Sequence, residues 1–381
     1  MRTKKPSANS QKPIAAIGHV AQLLIAVVFL FSGAVKAIDP LGTVYKIEDY
    51  LKAFGGFMTE LLPLATVAAV CLICLECLLG VAMLLNIRTR WTAWISLVFY
   101  LVMTPLTLWI ALTNPVSDCG CFGDALVLTN WQTFYKNVVL LALVIVLLLC
   151  MKRMHNPWKW PLELMVMSLA LAGVLTLMAW THFHLPLVDF RPYRIGNNLP
   201  EQMEGGRAPV VDYVFVYERN GERQEFTTDS LPSKDEGWQF VERQDVVIEE
   251  GIEAPVHDFE LTRWFDGEVI TDDILTSEEP VTLIVMYDIQ KADREQYQKI
   301  VHLFEETPSP IYILTGSNDD EIEALMSDLE ALSDESLRSR IEEETLCTAD
   351  PVMLKTIVRA NPGVFVLQNG TVIDKYNLRN R

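Results

Sequence analysis

The sequence lacks the local patterns that indicate several common enzyme chemistries. It contains no glycine-rich nucleotide loop, no Ser/His/Asp arrangement and no zinc-hydrolase motif. Positive charge is also scarce, since 31 Lys and Arg stand against 49 Asp and Glu. Residues 1–184 carry 13 basic and 8 acidic side chains, whereas residues 185–381 carry 18 and 41. An acidic second half argues against binding to nucleic acid or to anionic lipid head groups.

Long apolar runs are missing after Leu185, whereas the first half of the chain contains five. Each approaches the roughly 20 residues that cross a bilayer as a helix. The runs are Ile14–Val35, Leu61–Leu85, Trp91–Leu112, Tyr135–Met151 and Pro161–His182. This pattern predicts a helical bundle in a lipid bilayer, followed by a water-soluble domain.

The basic residues of the first half predict the orientation of the bundle. They cluster in the N-terminal tail and in the turns after the second and fourth runs, while the turn Ser117–Thr133 has none. Because such clusters stay in the cytoplasm, we expect a cytoplasmic N-terminus and an extracytoplasmic C-terminal domain, in a bacterial-type inner membrane. No small-residue cleavage site follows the first run, which is therefore interpreted as a retained anchor.

Two cysteines separated by one glycine occupy the polar loop between the third and fourth runs. The loop reads Asp118-Cys-Gly-Cys-Phe-Gly-Asp124, and Gly120 and Gly123 give it backbone freedom. On the predicted outer side, Cys119 and Cys121 would meet a compartment where disulfides persist. The pair is a candidate for thiol–disulfide exchange, and a structural disulfide or tight turn is the alternative. A metal site is less favoured, because the loop has no histidine and no second cysteine pair.

Glu76 lies inside the second apolar run. A carboxyl group there is costly, so it is expected to face the bundle interior and to have a partner. Counted from Leu61, Glu76 falls toward the cytoplasmic end of its helix, which makes Lys36 a poor partner and His19 or Gln22 a better one. Glu76 is either a packing element with one interhelical hydrogen bond or part of a proton relay or quinone site. The sequence identifies no cofactor, and a quinone is the one that the last alternative would use.

Three cysteines recur at every third position of the same run, at Cys71, Cys74 and Cys77. Helical Cys-x-x-Cys spacing is compatible with metal binding or disulfide exchange. In an apolar helix, however, cysteine usually acts as a small hydrophobic residue that permits close packing. Packing is the preferred interpretation.

The first half resembles a known membrane family. The segment Phe29–Pro40, with its Ser-Gly and Lys36, is followed by Glu76, by Leu79-Gly80 and by the Cys-Gly-Cys-Phe-Gly motif. Together these features resemble the DoxX-like family, and more closely its branch typified by the methylamine-utilisation protein MauE, over residues 14–151. The resemblance implies a four-helix bundle connected with thiol redox chemistry or with the maturation of exported proteins. The fifth run and the large C-terminal region go beyond that pattern.

The C-terminal region is predicted to contain a small β region followed by an α/β domain. Alternating segments around Asn220-Gly221 indicate a hairpin. The predicted strands are Val210–Glu218, Glu222–Thr228, Phe240–Glu249, Val281–Asp288, Pro310–Thr315, Val364–Leu367 and Val372–Tyr376; the predicted helices are Arg294–Glu306, Asp319–Leu332 and Pro351–Arg359.

This order resembles the thioredoxin fold over residues 252–381, and Glu253–Leu261 is similar to the entry segment of its peroxiredoxin/TlpA branch. Pro362 stands where that family has a cis proline, so a cis Asn361–Pro362 bond is expected. An active thioredoxin has Cys-x-x-Cys after its first central strand, where this chain has Tyr287–Ala292. Cys347 lies elsewhere and is interpreted as an isolated buried thiol. The domain is therefore expected to bind a partner without redox chemistry of its own.

Two functions follow, and the sequence does not decide whether the protein is an enzyme. In the first, Cys119 and Cys121 exchange with an exported or periplasmic protein that the thioredoxin-like domain binds. In the second, the protein is a non-catalytic membrane scaffold with a structural Cys-Gly-Cys loop. The predicted domains are a cytoplasmic tail (1–13), the four-helix domain (14–151), a cytoplasmic turn with the fifth span (152–184), a stalk with the small β region (185–251) and the thioredoxin-like domain (252–381).

Overall fold

A computed structural model describes most of the chain. The described residues are 8–116, 118–154, 157–206, 210–219, 221–227, 230–232, 237–249, 254–338, 340–341 and 345–381. The chain divides into two compact units, of which the first ends at Arg191 and the second begins at Pro192.

Within the described residues, the regular elements of the N-terminal unit are helices. Its α-helices are α1 (Ala8–Ile38), α2 (Pro40–Phe54), α3 (Ala65–Leu84), α4 (Thr89–Thr113), α5 (Asn130–Cys150) and α6 (Trp160–Phe183). A 3₁₀ segment, Gly56–Leu64, leads into α3. Within the described residues, five helices are long and apolar enough to cross a bilayer, which confirms the predicted number of spans. The lipid bilayer is therefore the environment of this unit.

Helices α1 and α3 pack closely through two glycines. A Cβ atom placed on Gly33 would lie 2.6 Å from the Sγ atom of Cys77, and one placed on Gly80 would lie 2.7 Å from Cγ of Leu30. Small residues at such positions let two helix backbones approach each other. This approach brings the polar residues of α1 and α3 into direct contact.

Helix α2 occupies a segment that the sequence analysis treated as a simple turn. Asp39 caps the helix by accepting a hydrogen bond from the amide of Gly42, 3.1 Å away, and Pro40 takes the first helical position. Val44 packs against Ala65 and Ala69 in the first half of α3. Helix α1 therefore ends beside the middle of α3, and α2 packs against the first half of α3.

The C-terminal unit contains two sheets. One has the strand order β2-β1-β3, and the other has the order β4-β7-β6-β5-β8-β9. The strands are β1 (Val210–Arg219), β2 (Glu222–Thr227), β3 (Gln239–Glu249), β4 (Thr262–Arg263), β5 (Val281–Met286), β6 (Ile311–Thr315), β7 (Leu346–Thr348), β8 (Gly363–Gln368) and β9 (Thr371–Asn377). Strands β5, β6 and β7 run parallel, whereas β4, β8 and β9 pair antiparallel with their neighbours.

Short helices accompany the larger sheet. They are α7 (Leu199–Glu204), α8 (Thr271–Leu275), α9 (Tyr297–Glu306), α10 (Asp319–Leu332), α11 (Glu335–Arg338) and α12 (Pro351–Ile357). The core between this sheet and α9 and α10 includes Ile284, Phe304 and Leu325. Most predicted strands and helices are confirmed to within a few residues, although Asn220 of the predicted hairpin turn lies outside the described residues.

Candidate functional site

The thiol loop connects α4 to α5 and brings its two cysteines face to face. The Sγ atoms of Cys119 and Cys121 are 2.9 Å apart, and both residues are free thiols. Gly120 has a φ of 63° and Gly123 a φ of 51°, values that L side chains rarely adopt. The predicted need for glycine at these two positions is confirmed.

The loop is fastened to α1 and α2. The side chains of Ser32 and Lys36 donate to the main-chain carbonyl of Cys121 over 2.7 and 2.8 Å, and the hydroxyl of Tyr50 donates to the carbonyl of Cys119. These contacts bring the loop against the bundle, and only 9% of the Cys119 surface is exposed. Cys119 is buried because the main-chain carbonyls of the loop accept hydrogen bonds from side chains of α1 and α2.

A second attachment joins α2 to the start of the loop. Lys46 forms an ion pair with Asp118 at 2.7 Å, and Asp118 also accepts a hydrogen bond from the amide of Gly120, 2.7 Å away. Both members of the pair are partly exposed, so the charge interaction itself is weak. Its effect is to fix the conformation of the backbone before the first thiol.

Beneath the loop lies a buried ion pair. The Nζ atom of Lys36 is 2.8 Å from Oε2 of Glu76 and 3.0 Å from Oε1. Lys36 is 5% exposed and Glu76 is 3% exposed. The hydroxyl of Ser32 lies 2.8 Å from Oε2 of Glu76 and accepts from Lys36 over 2.6 Å. Buried charges persist only when paired and hydrogen-bonded, and each charge here meets that condition.

The sequence prediction for the partner of Glu76 was wrong. Lys36 is the partner, whereas Gln22 donates to the carbonyl of Met83 and His19 is exposed. The prediction measured depth from Leu61 and placed Lys36 at the outer end of its span. Because α2 covers the first half of α3, Lys36 instead lies beside the middle of that helix.

A small cavity separates the ion pair from α4 and α5. Its volume is about 20 Å³, enough for one water molecule and far below the roughly 300–1,000 Å³ of ordinary ligand pockets. It is lined by Val28, Phe29, Ser32, Glu76, Phe99, Tyr100, Met103, Cys121, Phe122, Lys136, Asn137 and Leu140. In this conformation the cavity fits water and does not accommodate a quinone ring.

The surroundings of the two thiols differ electrostatically. The hydrogen-bonding contact with Cys119 lowers the pKa of Cys121, and the positive charges of Lys136 and Lys36 act in the same direction. The same hydrogen bond, together with burial, raises the pKa of Cys119. Lys136 reaches this position from α5, where its Nζ atom lies 4.3 Å from the centre of the Phe122 ring. These directions favour the thiolate at Cys121 over Cys119.

The remaining predicted cysteines do not form a site. Along α3, Cys71 is exposed, Cys74 is half-buried and Cys77 is buried against Gly33. Cys347 is fully buried in β7, and burial raises its pKa to about 12. Among the described residues, no group of three or more His, Cys, Asp and Glu side chains is arranged to hold a metal ion.

In the C-terminal unit, the end of β5 lies next to the start of β8, and this place is called the β5–β8 end of the larger sheet. The Asn361–Pro362 peptide bond is cis, and the amide of Asn361 donates to the carbonyl of Asp288 over 2.6 Å. Cys347 lies in β7, where it pairs with Leu314 of β6. Strand β7 is not a neighbour of β5 in the sheet. Among the described residues after β5, Tyr287–Ala292 contains no thiol.

Sequence reasoning quoted Ser32 and Lys36 only as part of the family resemblance, and it did not place them, Tyr50 or Lys136 at the thiol site. Ser32 and Lys36 are four residues apart, so they lie on one face of α1, and this spacing was the available signal. Tyr50 and Lys136 had no such signal, because α2 was not expected and Lys136 is a single cation near the start of a span. Their roles depend on tertiary packing.

Comparison with known proteins agrees with the helical part of this description. Residues 14–150 match the family model described as methylamine utilisation protein MauE, and residues 211–250 match a domain of unknown function, DUF8463. No curated protein and no solved structure matches the chain. The matched segment contains Lys36, Glu76 and both loop cysteines. Residues 14–150 are therefore similar to the MauE family, and they lie within a multi-pass membrane protein.

Proposed function

We propose that the membrane domain exchanges disulfides with an exported protein, with Cys121 as the attacking thiol and Cys119 as the resolving thiol. The observation that carries the proposal is the pair of facing thiols, 2.9 Å apart, held beside a buried lysine. A thiolate is the reactive form in such exchange, and nearby positive charge favours it. Cys121 is also the more exposed of the two.

The reaction conserves atoms and electrons without a further reagent. The Cys121 thiolate attacks one sulfur of a substrate disulfide, forms a mixed disulfide and releases the other sulfur as a thiolate, which takes up a proton. Cys119 then loses its proton and attacks Cys121, which releases the second substrate sulfur. The products are a Cys119–Cys121 disulfide and two substrate thiols, so two electrons pass to the substrate. The same steps run in reverse when the loop oxidises a substrate dithiol.

The C-terminal unit is proposed to bind the exchanging partner through a thioredoxin-like domain. The parallel strands β5 and β6 and the terminal β8–β9 hairpin support that assignment. The Tyr287–Ala292 segment without a thiol supports a binding role in place of a redox role.

We propose that this unit lies outside a bacterial-type inner membrane, and the basic clusters in the N-terminal tail and in the turns after the second and fourth spans support that orientation. We expect a reporter fused after Arg381 to be active only in the periplasm or exterior. A cytoplasmic C-terminus would place the thiol loop in a reducing compartment and contradict the proposal.

A structural role for the loop is the second candidate. The burial of Cys119 and the attachments through Lys46 and Tyr50 favour it, because a fastened loop also stabilises the bundle. In that case the Cys-Gly-Cys segment supports a non-catalytic scaffold, and its thiols have no exchanging partner.

Trapping of a mixed disulfide separates the two functions. A Cys119→Ser protein lacks the resolving thiol, so we expect it to accumulate a disulfide between Cys121 and an exported protein, visible as a reducible higher-mass species. The Cys121→Ser protein should give little of this species, and the double variant none. The double variant also controls for the five cysteines outside the loop. Equal adducts in all three variants, or none in any, would contradict the exchange function.

A further inference from the structure

We propose that Lys136 of α5 is a positioning residue for thiol–disulfide exchange: held over the ring of Phe122, its ammonium group stabilises the negative charge of the Cys121 thiolate. The inference deepens the proposed function and rests on it, because exchange is what gives the thiolate a use. Lys136 acts through Cys121 and does not touch the substrate.

The hydrogen bonds of Lys36 provide the first argument. Its ammonium group has three hydrogens, and four oxygen atoms lie within hydrogen-bond distance of Nζ: both carboxylate oxygens of Glu76, the hydroxyl of Ser32 and the main-chain carbonyl of Cys121. Its charge is matched by Glu76 at 2.8 Å. Lys36 therefore holds the backbone of Cys121, while its hydrogens and its charge are already taken up by oxygen atoms.

The placement of Lys136 provides the second argument. Its Nζ atom lies 4.3 Å from the centre of the Phe122 ring, and among the described residues no carboxylate pairs with it. Phe122 directly follows Cys121 in the chain, is 7% exposed and packs edge to face against Phe31, with the ring centres 5.2 Å apart. Because a cation is attracted to the face of an aromatic ring, this contact holds the flexible lysine beside the thiol loop.

The cavity provides the third argument. Cys121, Phe122 and Lys136 line the same space of about 20 Å³, which is the size of one water molecule. Most of the other side chains that line it are apolar. Charges separated by protein interact more strongly than charges separated by bulk water. A positive charge at the edge of this cavity therefore acts on Cys121 with little screening.

The protonation of Cys121 agrees with this placement. The contact with Cys119 lowers the pKa of Cys121 most, and burial opposes that change. Of the two lysines that also lower this pKa, Lys136 has the larger effect and Lys36 the smaller. This order is expected if the charge of Lys36 is largely offset by Glu76.

The charge balance at the thiol pair depends on groups from every element packed against it. These groups are Lys36 on α1, Tyr50 on α2, Glu76 on α3, Tyr100 on α4, Lys136 on α5, and Asp118 and Cys119 in the loop. Glu76 is paired with Lys36, and Asp118 is paired with Lys46. Tyrosine is neutral at physiological pH in its ordinary form. Within this set, Lys136 is therefore the cation whose charge no described carboxylate offsets.

The test is the pH dependence of Cys121 alkylation in the full-length protein in detergent. Iodoacetamide reacts with the thiolate, and mass spectrometry quantifies the modified Cys121 peptide. Lys136→Gln removes a positive charge that stabilises the thiolate. We therefore expect the pH of half-maximal rate to rise by about one unit, with roughly tenfold slower alkylation below the wild-type midpoint. Lys136→Arg keeps both the charge and the contact with the ring, and it should stay close to the wild-type profile.

Lys52→Gln is the matched control. It removes the same charge from an exposed lysine of α2 that does not line the cavity. This variant should keep the wild-type pH profile. A wild-type midpoint in Lys136→Gln, a midpoint shifted to lower pH, or an equal shift in Lys52→Gln would overturn the inference.

Phe122→Leu tests the ring separately and gives a readout if Lys136→Gln does not fold. Both lysines remain in this variant, but the ammonium group of Lys136 is no longer held over a ring. The midpoint for Cys121 should therefore rise by a fraction of a unit, and an unchanged midpoint would contradict the positioning of Lys136 by Phe122. These measurements need no partner protein, so the inference can fail while mixed-disulfide trapping succeeds, and the reverse.

Discussion

The thiol loop of the membrane unit and the β5–β8 end of the larger sheet in the C-terminal unit differ in their thiol content. The loop has two facing thiols beside a buried lysine, whereas the β5–β8 end has a cis proline and a Tyr287–Ala292 segment without a thiol. In the proposed function, covalent chemistry and partner recognition are divided between these two units. Variants of either region can test that division separately.

The largest effect is expected from removal of the loop thiols. The Cys119→Ser, Cys121→Ser double variant should lose all exchange with a model dithiol or disulfide, because neither a nucleophile nor a resolving thiol remains. Cys347→Ser should keep wild-type exchange, since Cys347 is fully buried in β7. If Cys347→Ser lost exchange and the double variant kept it, the proposed division between the two units would be wrong.

A large loss of stability is expected from disruption of the buried ion pair. Lys36→Met leaves Glu76 buried without its cation, which costs about 3–5 kcal/mol, and Lys36→Met with Glu76→Leu should recover much of the loss. Lys46→Met is the comparison, and it should cost less because Lys46 and its partner Asp118 are both partly exposed. Thermal unfolding in detergent ranks the three variants. Equal losses for Lys36→Met and Lys46→Met would show that burial of the Lys36–Glu76 pair has little energetic consequence.

A moderate effect is expected at Tyr50, which fastens the first thiol. Tyr50→Phe removes the hydrogen bond to the carbonyl of Cys119, a contact worth about 1 kcal/mol. Looser attachment should expose Cys119 and increase its alkylation a few-fold. The pH of half-maximal alkylation at Cys121 should stay the same, because Lys36 and Glu76 are untouched. A shifted midpoint would mean that Tyr50 helps set the charge balance.

The smallest effect on thiol chemistry is expected from the C-terminal unit. Asn361→Ala removes the hydrogen bond to the carbonyl of Asp288 and should destabilise that unit by about 1 kcal/mol. Alkylation of Cys119 and Cys121 should remain at wild-type rates, whereas mixed disulfides with a protein partner should decrease. Altered alkylation would show that the two regions are not independent.

The sequence predicted the elements better than their contacts. The five spans and most strands of the larger sheet follow from apolar runs and turn residues, which are local signals. Strands β4 and β7 have two and three residues, too few for a recognisable periodicity. The partner of Glu76 was missed for another reason, because residue counting along a span does not register that α2 covers the first half of α3. The docking of the loop likewise depends on donors from α1 and α2, which no local pattern reveals.

The hydroxyl of Ser32 has one hydrogen and two acceptors within reach, a carboxylate oxygen of Glu76 and the carbonyl of Cys121. One hydrogen can serve only one of these acceptors fully at a time. Ser32 therefore links the backbone conformation of the loop at Cys121 to the ion pair of α1 and α3, and a displacement of either one frees the serine to hold the other.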